Sequence, residues 1–196
     1  MIIDRTRFES EHKGKGEILT DFSKLYTATD QVLEFVDRIR DQTQEVELRK
    51  EKVSLPRIVQ QAIEDVGHLA AIKKVEIRKR YLYTGILKCD RMYTREVLKN
   101  ILKNSIEAMP EKGGRVTIEI YQNKKKIYIS VTDNGCGIPE SILTKVKEPF
   151  FSTKKNKHNY GLGLNFCSNV MQKHGGNLEV YSESEGATVV LIFPSK

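Results

Sequence analysis

The sequence predicts an α+β sandwich, with helices gathered on a mixed or largely antiparallel sheet and one long helix ahead of it. Three observations carry this expectation. Residues 115–121 and 126–132 alternate apolar and polar side chains on either side of an Asn-Lys turn, which is the pattern of a hairpin with one buried face. Segments around 54–66, 90–109 and 162–174 carry apolar residues three and four apart, as amphipathic helices do. Ahead of them, apolar or near-apolar positions recur at Ile18, Phe22, Leu25, Thr29, Val32, Val36, Ile39, Thr43 and Val46, a single stripe on one continuous helix.

Taken in order, residues 1–16 are polar and contain Gly14 and Gly16, so they read as a terminus or a loop leading into the long helix. That helix has too little core of its own to stand alone. Its stripe either faces a partner helix in a dimer or bundle, or packs on its own domain. The pattern changes after Glu45 to Lys52, which places a boundary between a partial dimerisation region, 1–50, and a folded domain, 51–196. Ser54 with Pro56 marks a new helix start running through Ile58, Val59, Ala62, Ile63 and Val66. Val75 and Ile77 alternate with charged residues in a short strand, and Asp90 is a natural N-cap for a helix through Met109. A short helix is expected after Pro139, a loop from Glu148 to Tyr160, a helix from Leu162 to His174, and strands at 177–182 and 187–193.

The 196 residues are 39% hydrophobic and 30% charged, with no Trp and five Pro, a composition suited to regular structure rather than disorder. The formal net charge of +7 raises a nucleic-acid footprint, which the distribution argues against. The basic residues are spread, and the denser runs, Lys124 to Lys126 and Lys154 to Lys157, lack interleaved aromatics. They read as solvated surface with no nucleic-acid partner, the second run suiting a small anion. Cys89, Cys136 and Cys167 are odd in number and lack metal-ligand spacing, as expected of a reducing cytoplasm. No stretch of 18 apolar residues and no apolar leader occurs, so a membrane would enter only through parts of a longer parent protein.

Three constellations carry chemistry. The loop Asp133-Asn134-Gly135-Cys136-Gly137-Ile138-Pro139 leaves a strand for a helix. Its glycines allow the backbone to lie against a flat ligand, and the Asp133 carboxylate can accept from an exocyclic amine, though Asn-Gly is also an ordinary turn. Gly161-Leu162-Gly163-Leu164 opens a helix, where backbone N–H groups and the positive end of the helix dipole suit phosphate oxygens. Asn100 and Asn104 lie four apart on one helix face, so both carboxamides can serve one Mg²⁺, an ion that takes oxygen ligands. Two solvent-facing asparagines are the plain alternative.

The order of these segments resembles the nucleotide-binding boxes of sensor histidine kinases and of their gyrase, heat-shock chaperone and mismatch-repair relatives. The resemblance covers about residues 52 to 196. It rests on Glu96 to Ser105, on Asp133 to Pro139, on Glu148-Pro149-Phe150-Phe151-Ser152-Thr153-Lys154, and on Tyr160-Gly161-Leu162-Gly163-Leu164. It implies a two-layer sandwich of the Bergerat ATP-binding type. It further implies that Asp133 reads the adenine amine, with Gly135, Gly137 and Ile138 around the base and Thr188 assisting through water. Asn104, with Asn100, would hold Mg²⁺, while Lys154, Gly161, Leu162, Gly163 and Leu164 hold the phosphates. Phe150 and Phe151 would anchor the following loop, contributing mostly core packing. Hydrolysing relatives carry a Glu four residues before the magnesium asparagine. Here that place is Asn100, and a carboxamide is no general base, which favours a kinase. Glu96, one turn back, is the remaining candidate base.

The long helix resembles the second helix of a kinase dimerisation hairpin, implying a homodimer, a phospho-accepting histidine domain and a response regulator as partners. No histidine of this chain sits in the acceptor pattern: His12 precedes Lys13 and Gly14, and His68, His158 and His174 fall in the catalytic region. Asn159 also stands where the family often has a glycine. A histidine kinase core, a serine kinase of the anti-sigma type and a nucleotide-gated module without transferase activity all remain compatible with these residues.

Overall fold

The computed structural model describes Thr29 and residues 47–153, 161–182 and 185–195. The chain divides into two compact units, Met1–Glu45 and Val46–Lys196. Thr29 is helical; the rest of the expected long helix, and with it His12, lies outside the described residues.

The second unit is a sandwich of helices on a sheet. Strand β1 (Glu51–Ser54) leads into helix α1 (Leu55–Ile72). Pro56 sits in its first turn, where a missing N–H costs nothing, and Ser54 makes no side-chain capping bond. Leu55, Ile58, Val59, Ala62, Val66 and Ala70 form its buried stripe. Strands β2 (Val75–Tyr81) and β3 (Ile86–Cys89) follow, then helix α2 (Arg91–Glu107). Strands β4 (Gly114–Asn123) and β5 (Lys126–Asp133) form the expected hairpin, with Lys124 at φ 52° in its turn. A four-residue helix α3 (Glu140–Leu143), helix α4 (Gly163–Lys173) and strands β6 (Asn177–Ser182) and β7 (Ala187–Pro194) complete the unit.

The main sheet has the order β2-β4-β5-β7-β6, with β2 and β4 parallel and every other pair antiparallel. Alternation sends Val116, Ile118 and Ile120 of β4, Ile127, Ile129 and Val131 of β5, and Leu191 and Phe193 of β7 to the helix face, all almost fully buried. They meet Val97, Leu98, Ile101 and Leu102 of α2 and Val170 and Met171 of α4 in one core. Each such side chain contributes about 1.5–3 kcal/mol when removed from water. On the other face Tyr121 and Tyr128 stack with centroids 4.8 Å apart. A separate two-stranded sheet, β1 with β3, was not expected from the sequence. Each strand has four residues, too few for alternation to register. Helix α2 also stops at Glu107, two residues short of the expected Met109, with Ala108 as its C-cap.

Asp90 caps α2 as its residue type predicts: Oδ1 accepts from the Tyr93 N–H at 3.0 Å, and Oδ2 from the Arg49 N–H at 2.8 Å. Its own N–H donates to Nε2 of His174 at 2.9 Å, and Nδ1 of that ring lies 2.9 Å from the Val170 carbonyl. His174 therefore carries its proton on Nδ1 and is neutral, with its ring edge-on to Phe193. It ties the end of α4 to the start of α2. Lys50 adds a bond from Nζ to the Lys173 carbonyl at 3.2 Å. Cys89 and Cys167 are buried thiols, and burial pushes Cys89 up to about 11 and Cys167 higher still. No helix among the described residues is long and apolar enough to cross a membrane.

Burial holds the His174 pKa below its ordinary value, with Lys50 acting in the same direction. The unfolded chain thus binds this proton at a higher pH than the folded one, so stability is full above about pH 6.5 and is lost as pH falls toward the folded pKa. Urea unfolding at pH 7.5 and 5.5 should show this loss. His174→Gln should flatten it, at a cost of about 1–3 kcal/mol at neutral pH for the disrupted buried bonds.

Candidate functional site

Helix α2 organises the site because two segments distant in sequence, the start of α4 and the loop after Asp133, touch it at successive turns. Near its middle, Asn100 and Asn104 face the start of α4. A Cβ placed on Gly163 would lie 3.3 Å from Asn100 Oδ1 and 3.9 Å from Asn104 Nδ2, so a side chain there would fill the space between the two elements. Asn100 donates through Nδ2 to the Glu96 carbonyl at 2.9 Å, which fixes its amide and turns Oδ1 toward α4. At the C-terminal end of α2 the Ala108 carbonyl accepts the Cys136 N–H at 3.2 Å. The same carbonyl would be 2.8 Å from a Cβ on Gly135, so the Asp133 loop lies flat on the end of the helix.

The loop itself is tightly determined. Asp133 is buried at the end of β5, and its Oδ1 accepts two backbone N–H groups, from Gly135 at 3.0 Å and Ala187 at 3.2 Å. Among the described residues no hydrogen bond uses Oδ2, so one carboxylate oxygen is fixed by the backbone and the other remains for a ligand donor. Asn134 braces the loop against β4, accepting the Arg115 N–H at 2.6 Å while its own N–H reaches the Arg115 carbonyl at 3.2 Å. Gly137 adopts φ 68°. Ile138 donates its N–H to Ser182 Oγ at 2.7 Å.

At the opposite end, Leu162 is buried at the N-cap of α4, with no side chain capping the helix and no acidic residue in its first turn. The local field is the positive end of the helix dipole facing two neutral carboxamides. Gly161 has φ 70°, and a Cβ there would come within 2.5 Å of the Phe150 carbonyl carbon and the Phe151 oxygen. Gly161 therefore packs backbone to backbone on the segment carrying Phe151. Leu164 follows within the first turn of α4. Asn165, next in that turn, bonds the Lys147 carbonyl at 3.0 Å and holds the chain that leads to Phe150.

Several sequence expectations change. Thr188 does not face Asp133: it stands opposite Thr132 in the β5–β7 register, and the two hydroxyls bond at 3.0 Å. Neighbouring residues of a strand point to opposite faces, so Thr188 is on the far side of the sheet from the Asp133 carboxylate. The β7 residue that reaches Asp133 is Ala187, through its backbone. Glu96 turns its carboxylate to Lys99 at 3.1 Å, and its carbonyl, not its carboxylate, meets Asn100. Phe150 is 62% exposed with φ 64°, so it is not a core residue. Lys154 lies outside the described residues. Sequence reasoning missed Ser182, Ala108 and Ala187. The last two act through backbone atoms and carry no side-chain signal, and Ser182 had only its place before the turn at Gly186.

The chain is similar to known proteins in sequence and in fold. The protein family described as histidine kinase-, DNA gyrase B- and HSP90-like ATPase matches residues 89–196. Sporulation kinase C of Bacillus subtilis is 36% identical over 130 residues, covering 65% of this chain and 30% of that protein. The chain thus spans less than a third of that relative's length. The catalytic domain of histidine kinase ThkA, nucleotide-free, superposes with a TM-score of 0.68 at 24% identity, covering 75% of this chain and 96% of that one. Full-length ShkA in complex with AMPPNP gives 0.71 at 23% identity, over 84% of this chain and 35% of that one. With the match running from the β3–α2 corner to the last residue, the chain belongs to the family of histidine kinase-, DNA gyrase B- and HSP90-like ATPases.

Proposed function

We propose that this chain is the ATP-binding catalytic portion of a two-component sensor histidine kinase, which passes the γ-phosphate of ATP to a histidine on a dimerisation domain. The observation that carries the reading is the convergence of Asp133, the Asn100–Asn104 pair and the start of α4 along one helix. Asp133 Oδ2 is poised to accept from the exocyclic amine of adenine, with Gly135, Gly137 and Ile138 lining the base. The N-terminal turn of α4 offers backbone donors to phosphate oxygens, with Lys154 supplying charge. Asn104 and Asn100 would hold Mg²⁺ through their carboxamide oxygens, and the ion would neutralise phosphate charge. In phosphoryl transfer, positioning and charge neutralisation supply most of the rate.

Asn100 favours transfer over hydrolysis. Its amide is committed to the Glu96 carbonyl, and a carboxamide takes no proton from water, so the γ-phosphate waits for a protein nucleophile. His174 is buried with both ring nitrogens bonded, which removes it as an acceptor. A separate histidine domain, a response regulator and a homodimer through the N-terminal helix are the partners this reading requires.

The test is incubation with γ-labelled Mg-ATP, with and without an added histidine-bearing dimerisation domain. Acid-labile label should appear on the added domain and not on this chain. Acid-stable label on a serine would replace the reading with a serine kinase, and tight nucleotide binding without transfer to any domain would replace it with a binding module. Asp133→Asn, which keeps an oxygen for the backbone bonds, should weaken ADP binding about tenfold or more by calorimetry. Asn104→Ala should slow transfer about a hundredfold, while ADP affinity in EDTA stays near wild type.

A further inference from the structure

Ser182 is the last residue of β6, and its hydroxyl joins two segments of the nucleotide loop's surroundings. Oγ accepts the Ile138 N–H at 2.7 Å and donates to the Gly186 carbonyl at 2.9 Å. Gly186, at φ 93°, lies against β5 so closely that an added Cβ would be 2.0 Å from the Asp133 carbonyl oxygen. The next residue, Ala187, donates its N–H to Asp133 Oδ1 at 3.2 Å. The end of β6 and the start of β7 thus hold both ends of the loop: Asp133 through Ala187, and Ile138 through Ser182. Together with the bond from the Cys136 N–H to the Ala108 carbonyl, these contacts close a ring around residues 133–138.

We propose that Ser182 is a positioning residue that sets the base selectivity of this site, by fixing Ile138 and Gly186 so that the Asp133 carboxylate is presented in one orientation. The inference rests on the adenine-site reading above. A carboxylate held rigidly accepts from the amine of adenine and repels the carbonyl oxygen that guanine presents at the same place. Discrimination of this kind depends on the site being unable to relax around the wrong base. Loss of the Ser182 hydroxyl leaves the Ile138 N–H and the Gly186 carbonyl without this partner. The loop end and the turn then move independently, and Asp133 loses the frame that orients it.

The experiment measures displacement of a fluorescent ADP analogue by ATP and by GTP from the full chain, for wild type, Ser182→Ala, Ser182→Thr and Asp133→Asn, alongside thermal melts. Ser182→Ala should weaken ATP about tenfold and change GTP less than about twofold, so the ATP preference falls, whereas Ser182→Thr keeps the hydroxyl and the preference. Unchanged affinities in a folded Ser182→Ala, or equal losses for both nucleotides, overturn the proposal. If Ser182→Ala does not fold, Ser182→Cys gives the same reading with a poorer hydrogen-bonding group, and a wild-type preference in that variant overturns it. Should Asp133→Asn bind ATP as wild type does, the adenine-site reading itself fails. A loss there with none at Ser182 rejects only the role of Ser182.

Discussion

The site depends on how closely backbone segments approach helix α2. Its Ala108 carbonyl receives the Cys136 N–H, Gly135 lies against the same group, and Gly163 leaves room beside Asn100 and Asn104. These approaches are possible because α2 is fixed by burial. Val97, Leu98, Ile101, Leu102 and Ile106 are all at or near zero exposure between the sheet and the neighbouring helices. A close-packed interior lets such a helix shift little. The asparagines on its outer face are therefore presented from a rigid element, while the loops that meet them are shaped by glycine.

The polar knot at the other end of α2 secures the same arrangement from outside the site. Asp90 and His174 join the first turn of α2 to the last turn of α4, so the two helices bearing the asparagines and the glycine-rich start are tied at a point distant from Gly163. Arg49 and Lys50 bond to this knot, connecting the residues that precede β1 to both helices. His174 is thus explained by structure: a neutral ring accepting one backbone N–H and donating to one carbonyl, with no part in phosphate chemistry.

Sheet and site meet where β5 ends and β7 begins. Asp133 belongs to the strand, so its side-chain direction is set by the pleat. Ala187, the neighbour of the last paired residue Thr188, is brought within reach of its carboxylate by the same pairing that turns Thr188 away. Carboxylate orientation is consequently a property of the sheet, the turn after β6 and Ser182 together.

By itself the sequence determined what local pattern encodes: the hairpin of β4 and β5, the apolar stripes of α1, α2 and α4, the Asp90 cap, and the three segments at Asp133, Asn100–Asn104 and Gly161–Gly163. These signals survive because periodicity and residue chemistry act over a few neighbours in the chain. Only the tertiary structure decided which oxygen or N–H each residue meets. The strands β1 and β3 exist through pairing with each other, and the one-residue alternation that puts Ala187 and not Thr188 beside Asp133 is fixed by strand register. Ala108 and Ala187 entered the site through a backbone carbonyl and a backbone amide, groups every residue carries, so no side-chain pattern marked them before the chain was folded.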